Sequence, residues 1–442
     1  MNCPLYSLLE KKANENLKRF CMPSHAGEEL TPLYNSAKFD FTELDFSDNL
    51  LNPTGVIKEA EKLLAKSYGS DDCLIFTCGA TSAIWSAFAV IKETGDSVLV
   101  DSFSHKSVFA ALRNFSLDAE ILKRGYDDEG FPKKLTAKDI EDRLKEKQFT
   151  AVAVTSPDYF GNVLDIKEIA EVCHRYGAML FLDEAQGAHF AFSSLLPINA
   201  ARYADLAVDS LHKTLPVYGG GAVLNVKKEF AEIAAVCRAK INTSSPSYVI
   251  MASIDYARAY YDEVGEDGFL KLKEKTDEIK SRLLGRVKNT DDFSRLVVKA
   301  SENDLIKYGF YPEMSYGEYC VFILNFQNMK HVDELVKILE NQSKFGDKIS
   351  GEQLNAIEIP KSLSKSCGKK GFVSLCSAEG KIAATDVGCY PPGVPLIFEG
   401  ERVTKEKIEF LKNKNAFNLV NNKIYVIMDT YGENYARNDG DV

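Results

Sequence analysis

Residues 73–101 read "CLIFTCGATSAIWSAFAVIKETGDSVLVD": an apolar run, a glycine turn, an apolar segment of helical length, and a second apolar run ending in aspartate. Continuous apolar strands separated by a helix belong to a parallel sheet covered on both faces, because only burial on both sides removes the need for alternating polar residues. The pattern repeats outward, through a helix starting near Ser107, "TAVAVTS", a helix from Asp165, "AMLFLDE", "DLAVDS" and "GAVLNV". The expected fold class is α/β, with a mostly parallel sheet in a large domain. Residues 1–69 read as an N-terminal arm and helix that wrap a neighbour. Residues 70–290 form the large domain with a long helical connector from 245, and residues 291–442 a smaller C-terminal α+β domain built on "YCVFILNF", "HVDELVKILEN", "KGFVSLCS" and "NKIYVIMD". A chain of 442 residues exceeds what one core usually serves.

Composition narrows the function. The chain is 45% hydrophobic and 27% charged, with a formal charge of −10, which disfavours nucleic acid and anionic membranes as partners because those need clustered Lys and Arg. The first twenty residues carry charges inside their helix and no apolar leader, and no later run is long enough to span a bilayer, so a cytoplasmic protein is expected. Ten cysteines lie scattered, several in apolar runs (Cys73, Cys173, Cys320, Cys376), without paired C-x-x-C spacing. Buried, reduced thiols are expected, and no metal site.

In open α/β sheets ligands sit beyond the carboxyl ends of the strands, and four such ends carry chemistry. Gly79, Ala80, Thr81 and Ser82 make a glycine turn opening a helix, suited to a phosphate or simply to an N-capped strand-to-helix turn. His105 follows the next strand, where it either stacks on a planar ligand or is an ordinary hydrogen-bonded histidine. Asp183 ends the apolar "AMLFL" and needs a cationic partner, since a bare buried carboxylate is costly. In "VDSLHKTLP", Ser210 and His212 precede Lys213 at the end of the following strand. A phosphate cradle, a flat ring, a buried carboxylate and a lysine on one rim together match pyridoxal 5'-phosphate. That cofactor's ring nitrogen needs an anion to stay protonated, and its aldehyde needs a lysine amine.

The chain resembles the fold-type-I, aspartate-aminotransferase-like pyridoxal-phosphate enzymes. Within them it is similar to the ornithine/lysine/arginine decarboxylase family over nearly its whole length. "FTELDFSDNLLNPTGVIKEAEKLLAKSYGSDDCLIFTCGATSA", "DSFSHKSV", "TSPDYFGN", "LFLDEAQGAHF", "DSLHKTLP", "NTSSPSY" and "YPPGVPLIFEGE" occur in the family's order. The resemblance implies that Lys213 forms the internal aldimine, Asp183 meets the pyridine nitrogen, His105 stacks on one ring face and Ala185 packs on the other. Thr81, Ser82, Ser210 and His212 would hold the phosphate. Thr243 or Ser244 would reach a phosphate in the partner subunit, making the active unit a homodimer.

The implied function is decarboxylation of lysine, ornithine or arginine to its amine, a step of polyamine biosynthesis. Another fold-type-I activity (aminotransferase or lyase) and a catalytically silent binding module are the rivals. Against transamination, no arginine of the C-terminal domain stands in the F-R pattern with which aminotransferases hold the α-carboxylate. Departures from the family fall on the substrate side: "PSHAG" at 23–27, Asp158 in "TSPDYFG", Gln186 in "DEAQGAH", and Lys381 and Thr385 in "EGKIAATD". The resemblance is to the family's short form, so the N-terminal wing of its long members is not expected. A cationic substrate tail needs an anion, and Asp158, Glu379, Glu399 and Glu401 are candidates, each of which could equally be a salt-bridged surface acid. Asp158, Gln186 and Glu401 are the expected substrate contacts.

Overall fold

A computed structural model describes residues 1–14, 36–389, 392–412 and 414–428. The "PSHAG" segment and Tyr390–Pro391 of "YPPGVP" lie outside the described residues. In chain order the main elements are α1 (Pro4–Ala13), α2 (Val56–Tyr68), β1 (Asp72–Phe76), α3 (Gly79–Thr94), β2 (Ser97–Asp101), α4 (Lys106–Asn114), β3 (Asp118–Leu122), α5 (Ala137–Glu146), β4 (Ala151–Thr155), α6 (Ile166–Arg175), β5 (Met179–Asp183), β6 (Leu206–Asp209), the short α7 (Leu211–Thr214), β7 (Ala222–Val226), α8 (Ala231–Ile241) and α9 (Tyr248–Arg282). There follow β8 (Val287–Lys288), β9 (Arg295–Lys299), α10 (Glu302–Lys307), β10 (Met314–Tyr316), β11 (Tyr319–Ile323), α11 (Val332–Glu340), α12 (Gly351–Ala356), β12 (Lys370–Ser374), β13 (Val387–Cys389), β14 (Pro395–Ile397), α13 (Lys405–Leu411), β15 (Ala416–Phe417) and β16 (Lys423–Ile427).

Seven strands form the main sheet in the order β1-β7-β6-β5-β4-β2-β3. β4, β5 and β6 run parallel, with Thr155 opposite Asp183 and Asp183 opposite Val208. β7 runs antiparallel to both β1 and β6, so the sheet is α/β and mostly parallel. The strands "AVAVT", "MLFLD" and "LAVD" are buried almost throughout, which is why they contain no polar residue before their last position. α3 is apolar around most of its circumference, with Ala83, Ile84 and Ala87–Ile91 buried. Such a helix is stable only inside a layered core.

The chain divides into two compact units. The first comprises residues 1–98, 111–117 and 134–349. Its N-terminal helix is tied down by one buried carboxylate: Asp255 Oδ2 of α9 accepts from the amides of Leu5 (3.0 Å) and Tyr6 (3.2 Å), satisfying two of the donors that a helix start leaves open. α2 and α8 are joined by the buried Glu61–Arg238 ion pair. A second sheet in this unit, ordered β10-β11-β9-β8, is antiparallel. The second unit comprises residues 99–110, 118–133 and 350–442. Its core gathers Leu375, Ala383, Val387, Ile397, Val403, Ile408, Ile424 and Val426. Asp101 and Arg124 form a buried ion pair at its heart, with Nη2 to Oδ2 at 2.5 Å.

The described cysteines are all free thiols. Cys73, Cys173 and Cys320 are buried as expected, whereas Cys376 is exposed: it sits in a single 3₁₀ turn, Leu375–Ser377, which buries only Leu375. Among the described residues no helix is long and apolar enough to cross a membrane.

The contact that joins α3 to the sheet is an edge-on pair of fully buried rings, Phe88 and Phe181, with centroids 4.9 Å apart and planes at 65°. Replacing Phe88 with Ala removes that pair and opens a cavity, and should lower the free energy of unfolding by about 3–5 kcal/mol. Chemical denaturation followed by circular dichroism measures it.

Candidate active site

The site residues of the first unit sit at the carboxyl ends of β1, β4, β5 and β6. Asp183 closes β5, and its backbone carbonyl accepts from the amide of Ser156 at 3.1 Å. Its side chain is buried, and Oδ1 accepts from the amide of Ala185 at 3.2 Å. Oδ2 has no hydrogen bond among the described residues. Burial raises the carboxyl's pKa, and the nearby Lys213 charge and the Ala185 amide pull it back down. β6 ends at Asp209, and Ser210 then opens α7, where the amide of Lys213 donates to the Ser210 carbonyl at 3.0 Å. The Lys213 amine lies 5.5 Å from the centre of the Tyr159 ring and makes no hydrogen bond or ion pair among the described residues. Burial depresses its pKa. Asp183 and Glu313 oppose that shift, and Arg295 adds to it.

Three glycines tie the β1 end to this lysine. The amide of Gly79 donates to the carbonyl of Gly220 at 2.8 Å, and His212 Nδ1 lies 3.1 Å from the carbonyl of Gly221 and 3.4 Å from Ser210 Oγ. Gly220 has φ +99°, and a Cβ there would come within 2.8 Å of the Thr77 carbonyl. Only glycine suits that close approach. No side chain caps the start of α3, where Cys78 takes the cap position, and Thr81 there is exposed. Open helix-terminal amides of this kind attract an anion. Ser82 is otherwise engaged, donating its hydroxyl to the Gly79 carbonyl at 2.8 Å.

The remaining expected residues fall in several places. Ala185 follows Asp183 and is buried. Thr243 and Ser244 lie in the α8–α9 loop, where Thr243 Oγ1 is 3.2 Å from Ser245 Oγ and Ser244 is exposed. Asp158 is drawn into its own turn: Oδ1 accepts from the amides of Phe160 (2.9 Å) and Asn162 (3.0 Å), and Oδ2 from Asn162 Nδ2 (3.0 Å). Gln186 accepts from a buried arginine, Arg295, through Oε1 at 2.7 Å. His105 and Glu401 belong to the second unit. There His105 Nδ1 is 2.7 Å from Ser107 Oγ, in the turn that opens α4, and Glu401 pairs with the buried Lys407 amine at 2.7 Å. Glu399 also lies in that unit, 3.5 Å from Lys370.

Sequence reading missed Arg295, Glu313, Glu184 and Asp209. Glu313 is exposed, without hydrogen bond or ion pair to its side chain among the described residues, and its charge is felt by both Lys213 and Arg295. Glu184 and Asp209 follow the paired positions Asp183 and Val208, so their side chains sit side by side on one face of the sheet. Both are buried. Burial holds the two carboxyls well above the usual range, with repulsion from Asp209 adding to the shift at Glu184 and repulsion from Asp183 adding to that at Asp209; against it Glu184 has the amides of Ala200 and Ala201 and the Arg202 charge, and Asp209 has Asn225. The signal for Glu184 and Asp209 was available, since each is an acid at the end of an apolar strand. Nothing local marks Arg295 or Glu313.

These residues fit the cofactor that the sequence suggested. A half-buried amine without a hydrogen bond among the described residues, a buried carboxylate with one oxygen open, and an uncapped helix start are what a carbonyl carbon, a ring nitrogen and a phosphate would respectively need.

Residues 3–333 match the family described as Orn/Lys/Arg decarboxylase, major domain, and residues 364–422 match that family's C-terminal domain. The uncharacterized protein YaaO of Bacillus subtilis is 30% identical, the alignment covering 93% of this chain and 94% of that one. An arginine decarboxylase of Bacillus subtilis is 27% identical over 93% and 94% of the two chains. Among solved structures, the Francisella novicida lysine decarboxylase LdcF superposes with a TM-score of 0.78 at 19% identity, over 96% of this chain and 80% of its own. The fold is therefore fold-type-I, a large sheet domain with a smaller C-terminal domain.

The opposing fields on Lys213 make a testable asymmetry. In the cofactor-free protein, Lys213 should react with an amine-selective acylating reagent at lower pH than surface lysines. Asp183→Asn removes a charge that favours the protonated amine, so the reaction midpoint should move further down in pH. Peptide mass spectrometry across a pH series reads both.

Proposed function

The chain belongs to the Orn/Lys/Arg decarboxylase family, and from that premise we propose that it binds pyridoxal 5'-phosphate and removes the carboxylate of a basic amino acid, arginine or lysine, to give the amine. The observation that carries this reading is the pairing of Lys213 and Asp183: a half-buried lysine with a desolvated amine and a buried carboxylate, each with an open atom, at the ends of adjacent parallel strands.

In this reading Lys213 would hold the cofactor's aldehyde carbon. Asp183, through Oδ2, would keep a proton on the ring nitrogen, and Ala185 would cover a ring face. The first-turn amides of α3, with Thr81, Ser210 and His212, would hold the phosphate. The family resemblance assigns the other ring face to His105. When bound, the cofactor supplies an electron sink for the pair left behind by departing carbon dioxide. The chain's own share is orientation and proton handling. The downward pKa shift of the Lys213 amine favours its nucleophilic form, and, once displaced by substrate, the amine would carry the proton that returns to the α-carbon. Glu313 is the carboxylate best suited to a cationic tail, since its charge reaches Lys213 while Asp158 is bonded within its own turn. Thr243 and Ser244 would complete a phosphate site in a second copy, so the active unit would be a homodimer. A cytoplasmic role in polyamine formation goes with the activity.

The test is product mass spectrometry after loading with pyridoxal 5'-phosphate and incubating with lysine, ornithine and arginine together. A single amine is expected, and Lys213→Ala should abolish it. A keto acid would identify an aminotransferase instead, and a protein that purifies colourless and takes up no cofactor would be a binding module. Glu313→Gln should raise the KM for the accepted amino acid by about fivefold at unchanged kcat, the scale of one partly solvated ion pair.

A further inference from the structure

Arg295 opens β9 and is 1% exposed. A buried guanidinium normally has its donors satisfied, because desolvating the cation is expensive. Here only one nitrogen is. Nη2 donates to Gln186 twice, to Oε1 at 2.7 Å and to the backbone carbonyl at 3.1 Å. Nε is buried without a hydrogen-bond partner, 3.7 Å from Asp292 Oδ2. That carboxylate is already claimed by His189 Nε2 at 3.1 Å and by the amide of Ser294 at 2.9 Å. Nη1 has no hydrogen bond among the described residues.

The placement is specific. Gln186 stands three residues after Asp183. The stem of Arg295 runs against Gly161, where a Cβ would come within 2.7 Å of Arg295 Cγ, and the same 158–161 loop carries the Tyr159 ring that faces the Lys213 amine. Arg295 and Lys213 thus pack on one loop, and the charge of the under-satisfied guanidinium bears on the reactive amine.

We propose that Arg295 receives the α-carboxylate of the amino-acid substrate through Nη1, and that Gln186 is the positioning residue that leaves this nitrogen, and not Nη2, to do so. The proposal rests on the decarboxylase reading above and names the group that recognises the part of the substrate to be lost. A guanidinium fork usually grips a carboxylate with two nitrogens. With both Nη2 hydrogens taken by Gln186, that grip is unavailable, and a contact through Nη1 alone orients the carboxylate without stabilising its ground state to the full extent of a bidentate pair. Orientation decides which bond at the α-carbon breaks.

The decisive comparison uses ligands that differ only by the carboxylate. Steady-state kinetics of the cofactor-loaded protein would give KM for L-lysine and L-arginine, and inhibition constants for their amines, 1,5-diaminopentane and agmatine. Arg295→Met should raise KM for the accepted amino acid by about ten- to a hundredfold, the loss of one charge-assisted hydrogen bond, while the inhibition constant of its amine stays within about twofold. Arg295→Lys should recover part of the loss. Equal weakening of amino acid and amine would reveal a purely structural residue and overturn the proposal, as would an unchanged KM. A second readout needs no cofactor: Arg295→Met removes a cation that disfavours the protonated Lys213 amine, so the pH midpoint of Lys213 acylation should rise. If wild type turns over none of the basic amino acids, the decarboxylase reading fails separately, and an unmoved Lys213 midpoint would still refute the placement of Arg295.

Discussion

Placing a buried Asp183 and a half-buried, desolvated Lys213 at the ends of neighbouring strands is the constraint around which the first unit is arranged. Each charge alone would be expensive inside a protein, and each partly relieves the other. Desolvation still wins on both sides, moving the carboxyl up and the amine down, so each is displaced toward its neutral form. A ligand that brings a protonated ring nitrogen to one and an electrophilic carbon to the other relieves both costs. The site is therefore held in a state that favours such a ligand, and the sheet register, with Asp183 opposite Val208 two residues before Ser210, fixes the spacing.

The strap at Gly219–Gly221 makes this arrangement rigid. Backbone bonds from Gly79 and contacts from His212 converge on consecutive carbonyls, so the helix start that suits an anion and the helix that carries Lys213 share one support. A displacement of either would be transmitted to the other through backbone rather than through flexible side chains.

The sheet was legible because "CLIFT", "SVLVD", "AVAVT", "MLFLD" and "LAVD" are apolar on both faces, a pattern that only a covered parallel sheet explains. β3, "DAEIL", escaped because its burial alternates and its sequence lacks a continuous apolar run. Lys213 and Asp183 were legible for the same reason as the strands, since a charge ending an apolar run has to be accounted for. Asp158 illustrates the limit. A carboxylate at a strand end was read as a substrate anion, but an aspartate can bond amides two and four residues ahead, and in the structure it does so. Arg295 and Glu313 were invisible because they approach Lys213 from more than 80 positions away in sequence, and no local spacing encodes that approach.

Depth alone does not explain which buried acid is suited to a ligand. Asp183, Glu184 and Asp209 lie at the same level of the sheet and are all buried, yet their surroundings differ. Glu184 is repelled by Asp209 and relieved by amide donors and the Arg202 charge, while Asp209 has Asn225 on one oxygen and, among the described residues, no hydrogen bond on Oδ1. Burial and nearby negative charge oppose the ionisation of both. Asp183, whose charge also bears on Asp209, has a lysine in its field, which opposes the upward shift that burial imposes on it. Asp183 is the one of the three that has the Lys213 amine in its field, which suits it to a cationic ring nitrogen. Their partners distinguish the three acids, and the strand pairing that sets Asp183 opposite Val208 also brings the Lys213 charge to bear on it.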